Sequence, residues 1–201
     1  MGKEDKMAKN NRTADRVQAI LNLIGGDDVL DMLMDGRAKI EITEVKQHTV
    51  DLGVPPQLPF GGAEVVKHGG RGVVGIELRS DDNLYLDGKK VEIFLSERQK
   101  GDNRIVGHEL RQELKSGEQV LLNSNVLDYL YDHPELFPEH WKKDENGETQ
   151  YIFFWGSIFR HPLYGRLYVR FLCWDVGRLI RDYRWLDRDW ARQAPSVSIA
   201  S

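Results

Sequence analysis

Tyr151-Ile152-Phe153-Phe154-Trp155 is apolar at every position, and Leu167-Tyr168-Val169-Arg170-Phe171-Leu172-Cys173-Trp174 repeats the pattern with one intrusion, Arg170. A strand with one wet face alternates apolar and polar residues, whereas a run that is apolar throughout belongs in the middle of a layered structure. Between the two runs, His161-Pro162-Leu163-Tyr164-Gly165 has Pro and Gly where a turn needs them. The spacing therefore predicts an antiparallel hairpin of strands 151–159 and 167–174.

The segments upstream supply what packs on such a hairpin. Val126, Leu127, Leu130 and Tyr131 share one face of a predicted helix over 125–132 that Pro134 ends, and Leu110 and Leu114 point inward from a second over 108–115, stopped by Gly117. Pro138-Glu139-His140-Trp141 reads as a helical turn anchored by Trp141. Further back, Leu84-Tyr85-Leu86 and Val91–Leu95 flank Asp87-Gly88, residues that accept the positive φ of a tight hairpin turn. Alternation around Ile40 and Ile42 and across Val73–Leu78 predicts strands, and Pro55–Gly62 between them predicts a crossing loop. At the start, residues 1–13 are polar and predict a mobile tail. Residues 14–36 carry two short apolar stripes, each stopped by glycine, and predict a helical hairpin. Helices, strands, helices and a strongly apolar hairpin in that order define an α+β fold class, with residues 37–201 as the main domain.

Composition bounds the function. The chain has 201 residues, 40% hydrophobic and 30% charged, with 7 Pro and no glycine period, which excludes disordered and collagen-like classes and predicts a soluble globular protein. Twenty-eight Lys and Arg against 32 Asp and Glu give a net charge of −4, so a nucleic acid or an anionic membrane would need a local basic patch. No apolar run approaches the roughly 20 residues of a membrane span. Met1-Gly2-Lys3-Glu4-Asp5-Lys6 has no apolar stretch behind it, so the protein is expected to be cytoplasmic as synthesised.

Catalytic and metal signatures are sparse. His108-Glu109 begins like the two-histidine zinc motif, but the position four residues on is Gln112. His48, His68, His133, His140 and His161 have no ligand spacing, so no metal and no cofactor is expected. Gly69-Gly70-Arg71-Gly72 has no helix behind it to bind phosphate and reads as a loop. Cys173 lies in an apolar strand without an activating base, and Glu135, Glu139 and Asp144 read as solvated carboxylates near helix ends. The chain is expected not to be an enzyme.

The most unusual composition is at residues 174–192, where Trp174, Tyr183, Trp185 and Trp190 are interleaved with five Arg and four Asp. Two readings stand. Leu179, Tyr183, Leu186 and Trp190 recur at helical intervals with arginines opposite, which makes an amphipathic helix, although Trp185 would then lie on its wet face. Alternatively, Trp and Tyr anchor the segment while the residues between them face outward as an Arg-rich contact surface. A nucleic-acid or general interaction module using such a helix is the second functional reading. The near balance of Arg and Asp argues against nucleic acid, whose affinity rests on several phosphate contacts.

Leu58-Pro59-Phe60-Gly61-Gly62-Ala63-Glu64, Leu95–Gln99, Gly107–Arg111, Ile152-Phe153-Phe154-Trp155-Gly156, Leu167-Tyr168-Val169-Arg170 and Trp185-Leu186-Asp187-Arg188-Asp189-Trp190 together resemble a group of short proteins of candidate-phyla bacteria with an Asn-rich variable C-terminus. Their last segment is similar to the variable region of target proteins of diversity-generating retroelements. In these a reverse transcriptase copies a template with errors at adenines and so rewrites chosen Asn codons. The resemblance spans roughly residues 50–201. It implies a C-type-lectin-like domain for ligand binding that displays a hypervariable region over 174–194, with a protein or cell-surface ligand as partner.

On that resemblance the exchangeable positions are Asp182, Arg184, Arg188, Ala191 and Ala194, all reachable from an Asn codon by changing adenines. Val176, Arg178, Leu179, Ile180, Arg181 and Arg192 lie in the same region. Trp174, Trp185, Leu186, Asp187 and Trp190 are the implied scaffold. The last Asn of the chain is Asn146, which agrees with rewritten Asn codons beyond it, whereas Gln193 is not reachable by adenine changes alone.

Overall fold

A computed structural model describes residue 35, residues 48–117 and residues 119–199. Apart from Asp35, the predicted tail and helical hairpin lie outside the described residues, as does the alternation at Ile40 and Ile42. Among the described residues the order is β1 (His48–Asp51), β2 (Glu64–His68), β3 (Val73–Leu78), β4 (Leu84–Leu86), β5 (Lys89–Phe94), β6 (Ile105–Val106), α1 (Gly107–Ser116), β7 (Val120–Leu121) and α2 (Ser124–Asp132). Then follow β8 (Tyr151–Phe153), β9 (Ser157–Arg160), β10 (Leu167–Asp175), β11 (Arg178–Trp185), β12 (Asp189–Trp190) and β13 (Ser196–Ile199). This is a mixed α+β chain, mostly sheet.

Both predicted helices form. Asn123 caps α2 by accepting from the amides of Asn125 and Val126, and His133 and Pro134 end it. The β4–β5 hairpin closes through Asp87 and Gly88 at φ 46° and 74°, the geometry that the Asp-Gly pair favours. Eleven strands form one sheet in the order β1-β3-β4-β5-β13-β8-β10-β9-β2, with β11 on β10 and β7 on β13.

The doubly apolar segments are the middle of this sheet, and alternate residues feed two cores. Ile152, Leu172 and Val197 pack with Val126, Leu127 and Leu130 of α2. Phe153, Val169 and Ala194 pack on the other side with Leu110 and Leu114 of α1, Leu186 and Trp190. A strand between two cores cannot alternate in polarity, which is why β8 and β10 read as continuous apolar runs.

Two expected elements come out differently, and the strands β2, β6, β7, β12 and β13 carry no signal that the sequence reading used. The predicted strand 151–159 is two strands, β8 and β9, which pair antiparallel with opposite halves of β10. Between them Gly156 leaves the strand path to donate to the Leu122 carbonyl at 2.8 Å, and a Cβ there would sit 2.7 Å from the Asn123 nitrogen and the Leu121 oxygen. The backbone of the β7–α2 link takes the space that a side chain needs. The second difference is larger. Residues 178–185 are a strand and the amphipathic helix does not form: β11 pairs with β10 in register from Tyr168↔Trp185 to Asp175↔Arg178. Val176 and Gly177, at φ 47° and 75°, turn the chain in two residues. β10 had one edge open, and a helix would have left its buried amides and carbonyls unpaired.

Candidate functional site

Strand pairing divides residues 178–185 between two environments. Leu179, Arg181, Tyr183 and Trp185 face the same side as Leu172, Arg170 and Tyr168, toward α2 and the 53–62 loop. Arg178, Ile180, Asp182 and Arg184 face the opposite side, with Cys173, Phe171 and Val169.

The α2 side is largely packed, with Arg181 exposed at its rim. Leu179 is buried in the α2 core. Arg170, 4% exposed, donates to both carboxylate oxygens of Asp128 at 2.6 and 2.8 Å, and Arg181 donates to the same carboxylate at 2.9 Å while its guanidinium lies over the Tyr131 ring. The intrusive arginine of the apolar strand is thus half of a buried bidentate pair. Phe60 of the predicted crossing loop stacks on Tyr168 and contacts Tyr183, with ring centroids 5.5 Å apart in both cases. Burial pushes the Tyr168 hydroxyl well above the usual phenol range, with Tyr183 adding to the effect.

The other side is open. Arg178 and Asp182 are exposed, Ile180 is half-buried, and Val176 at the turn is 87% exposed. Phe171 lies between Tyr151 and Phe153, at centroid distances of 5.4 and 5.0 Å, which forms an aromatic floor beside these residues. At its end lies a groove of about 580 Å³ lined by Arg184, Asp189, Ala191, Gln193, Tyr151, Arg104, Lys143 and Glu148, among others. Burial lowers the affinity of the Arg184 guanidinium for its proton, and the nearby Arg188 and Arg104 charges act in the same direction. Arg184 donates to the Asp189 carbonyl at 2.7 Å, while its Nε is buried without a partner among the described residues. Cys173 lies under this face with its thiol pushed up to about 11 by burial, then by Asp175 and Asp182. It stays a protonated thiol at neutral pH, consistent with the inert reading.

The residues implied by the resemblance therefore do not form one surface. Leu179 and Ala194 are buried, at 7% and 4%, because each points into a core, and Arg181 is tied to Asp128. Arg192 is engaged by Asp144 at 3.1 Å and Glu148 at 2.8 Å. Burial pushes the Asp144 carboxyl up, but the amides of Glu148 and Asn146 and the Arg192 charge outweigh it and hold it below the usual range. Arg188 is exposed and Ala191 half-buried. Among the scaffold residues, Trp190 and Leu186 are fully buried, Trp185 packs on Tyr168, and Trp174 lies under Lys142. Asp187 is exposed and holds His108 at 2.9 Å and Arg166 at 3.4 Å.

The carboxylates Glu135, Glu139 and Asp144 are engaged separately, with His133, Lys142 and Arg192. The histidines are less scattered than their spacing suggests. His48 and His133, 85 positions apart, have ring centroids 5.0 Å apart. No signal in the sequence joins them, because the juxtaposition depends on β1 docking against the end of α2. No helix among the described residues is long and apolar enough to cross a membrane. Compared with protein-family models, curated proteins and solved structures, the chain matches none.

Proposed function

We propose that this chain is a non-enzymatic ligand-binding protein that displays exchangeable residues on a C-type-lectin-like scaffold and that a retroelement diversifies its C-terminal surface. The observation that carries this reading is the alternation along β11. Arg178, Ile180, Asp182 and Arg184 share one face, exposed at Arg178 and Asp182 and half-buried at Ile180 and Arg184, while the opposite residues anchor the strand to α2. A surface that must accept many side chains needs rigid backbone beneath and no packing role for the side chains themselves. Tyr151 and Phe171 add fixed aromatic contacts beside the exchangeable ones. The sheet with flanking helices and a centrally paired C-terminal strand is compatible with the proposed fold.

Val176 adds independent support. A β-branched residue at φ 47° is strained, and the preferred sequence for this two-residue turn is Asn-Gly. Val codons are reachable from Asn codons by adenine changes, so a rewritten Asn accounts for valine at a position made for asparagine. The test is to sequence a few kilobases on either side of the gene. A reverse transcriptase with a near-copy of codons 174–194, differing only at adenines and encoding Asn at 176, is the expected result; finding neither overturns the proposal.

One observation favours a second reading, in which the groove binds a polyanion. Arg104, Lys143 and Arg184 outnumber Glu148 and Asp189 in its lining, and Arg188 adds its field. Phosphate contacts weaken steeply with salt, so a salt titration of oligonucleotide binding separates the two readings.

A further inference from the structure

We propose that His48, His133 and Glu135 form a binding site for a zinc-like divalent cation, separate from the β11 surface. One nitrogen of each imidazole and one carboxylate oxygen lie within 4.8 Å of one another. The three come from different places: His48 opens β1, His133 caps the C-terminus of α2, and Glu135 sits in the 3-10 turn Pro134–Leu136. Two imidazoles and a carboxylate are a donor set that suits zinc and its first-row neighbours.

One separation already matches what an ion requires, and the whole cluster lies within 4.8 Å. Ligand atoms each about 2.0–2.1 Å from a tetrahedral zinc lie about 3.3 Å from one another. His133 Nδ1 and Glu135 Oε1 are 3.1 Å apart, close to that separation. His48 Nδ1 is held by the Tyr129 hydroxyl at 3.0 Å, which leaves Nε2 as the free ligand atom of that ring. This is the outer hydrogen bond that typically orients a metal-bound histidine. The Tyr129 ring also packs against His133 at 4.4 Å, so one residue of α2 orients both imidazoles. Three protein ligands leave a fourth position open to solvent, since the side chains of His133 and Glu135 are 30% and 59% exposed. Among the described residues β1 pairs with β3 alone, and the ion would clamp it to the end of α2.

The experiment is calorimetric titration of the full chain with Zn²⁺, with Co²⁺ absorption as a probe of ligand geometry. Saturable 1:1 binding, a rise in Tm with Zn²⁺, and intense visible Co²⁺ bands of a four-coordinate site are expected. Glu135→Gln removes the charge of an exposed side chain and keeps its shape, so it leaves the fold intact and should weaken Zn²⁺ binding about tenfold. His48→Ala should weaken it more, with His140→Ala, whose imidazole is paired with Asp82, as an unaffected control. The absence of saturable binding at 100-fold excess over a 1 µM protein sample, or 1:1 binding that survives both Glu135→Gln and His48→Ala, would overturn the proposal.

Discussion

β10 and β11 lie side by side in perfect antiparallel register, yet they obey different rules. β10 is buried on both faces along most of its length, and its one arginine is neutralised by Asp128. β11 is anchored on one face and open on the other. Rigidity and exchangeability can therefore sit on adjacent strands. The inner strand and its two cores fix the backbone, so the outer strand can present side chains that contribute little to folding.

The comparison breaks first if the supports are not supports. Trp190→Ala empties a fully buried site against Phe153 and Trp155 and should cost about 3–5 kcal/mol in urea denaturation. A loss below about 1 kcal/mol would mean that the core under the groove carries no load. Next, Asp128→Ala strands the Arg170 guanidinium in the α2 core and should cost about 3 kcal/mol, whereas Asp182→Ala across the strand should cost almost nothing.

Two smaller effects sharpen it. Val176→Asn should raise stability by about 1 kcal/mol, because asparagine relieves the strain of valine at positive φ. No change in Tm would remove the turn as support for a rewritten Asn codon. Last, Arg178→Asn and Asp182→Asn should each shift stability by less than about 0.5 kcal/mol while altering what the surface binds, and Arg184→Asn, which gives up the hydrogen bond to the Asp189 carbonyl, by about 1 kcal/mol. A fall of several degrees in Tm for Asp182→Asn would place that residue in the scaffold.

Local patterns were legible wherever the chemistry is local. Asp87-Gly88, Asn123 before α2, the stripes of α1 and α2, and the two apolar runs each name their own structure, since a turn, a cap or an amphipathic face is decided by a few neighbouring residues. The candidate site was only half legible. Residues 178–185 carry a helical period and a strand period together, and either could be written from the side chains alone. Tertiary structure chose the strand, because β10 offered an unpaired edge that only a strand can satisfy.

The same choice sorted the arginines. By composition Arg178, Arg181, Arg184 and Arg192 are alike; only pairing to β10 and proximity to Asp128, Asp144 and Glu148 decide which are tied down and which face the groove. His48 and His133 show the limit most plainly, since 85 residues of chain separate rings that touch. Short-range sterics and hydrophobic period wrote both helices, the Asp-Gly hairpin and the doubly buried middle of the sheet into the sequence. Strand partners, the open face of β11 and the His-His-Glu cluster were decided only by the tertiary structure, because each depends on which distant segment satisfies an edge or fills a face.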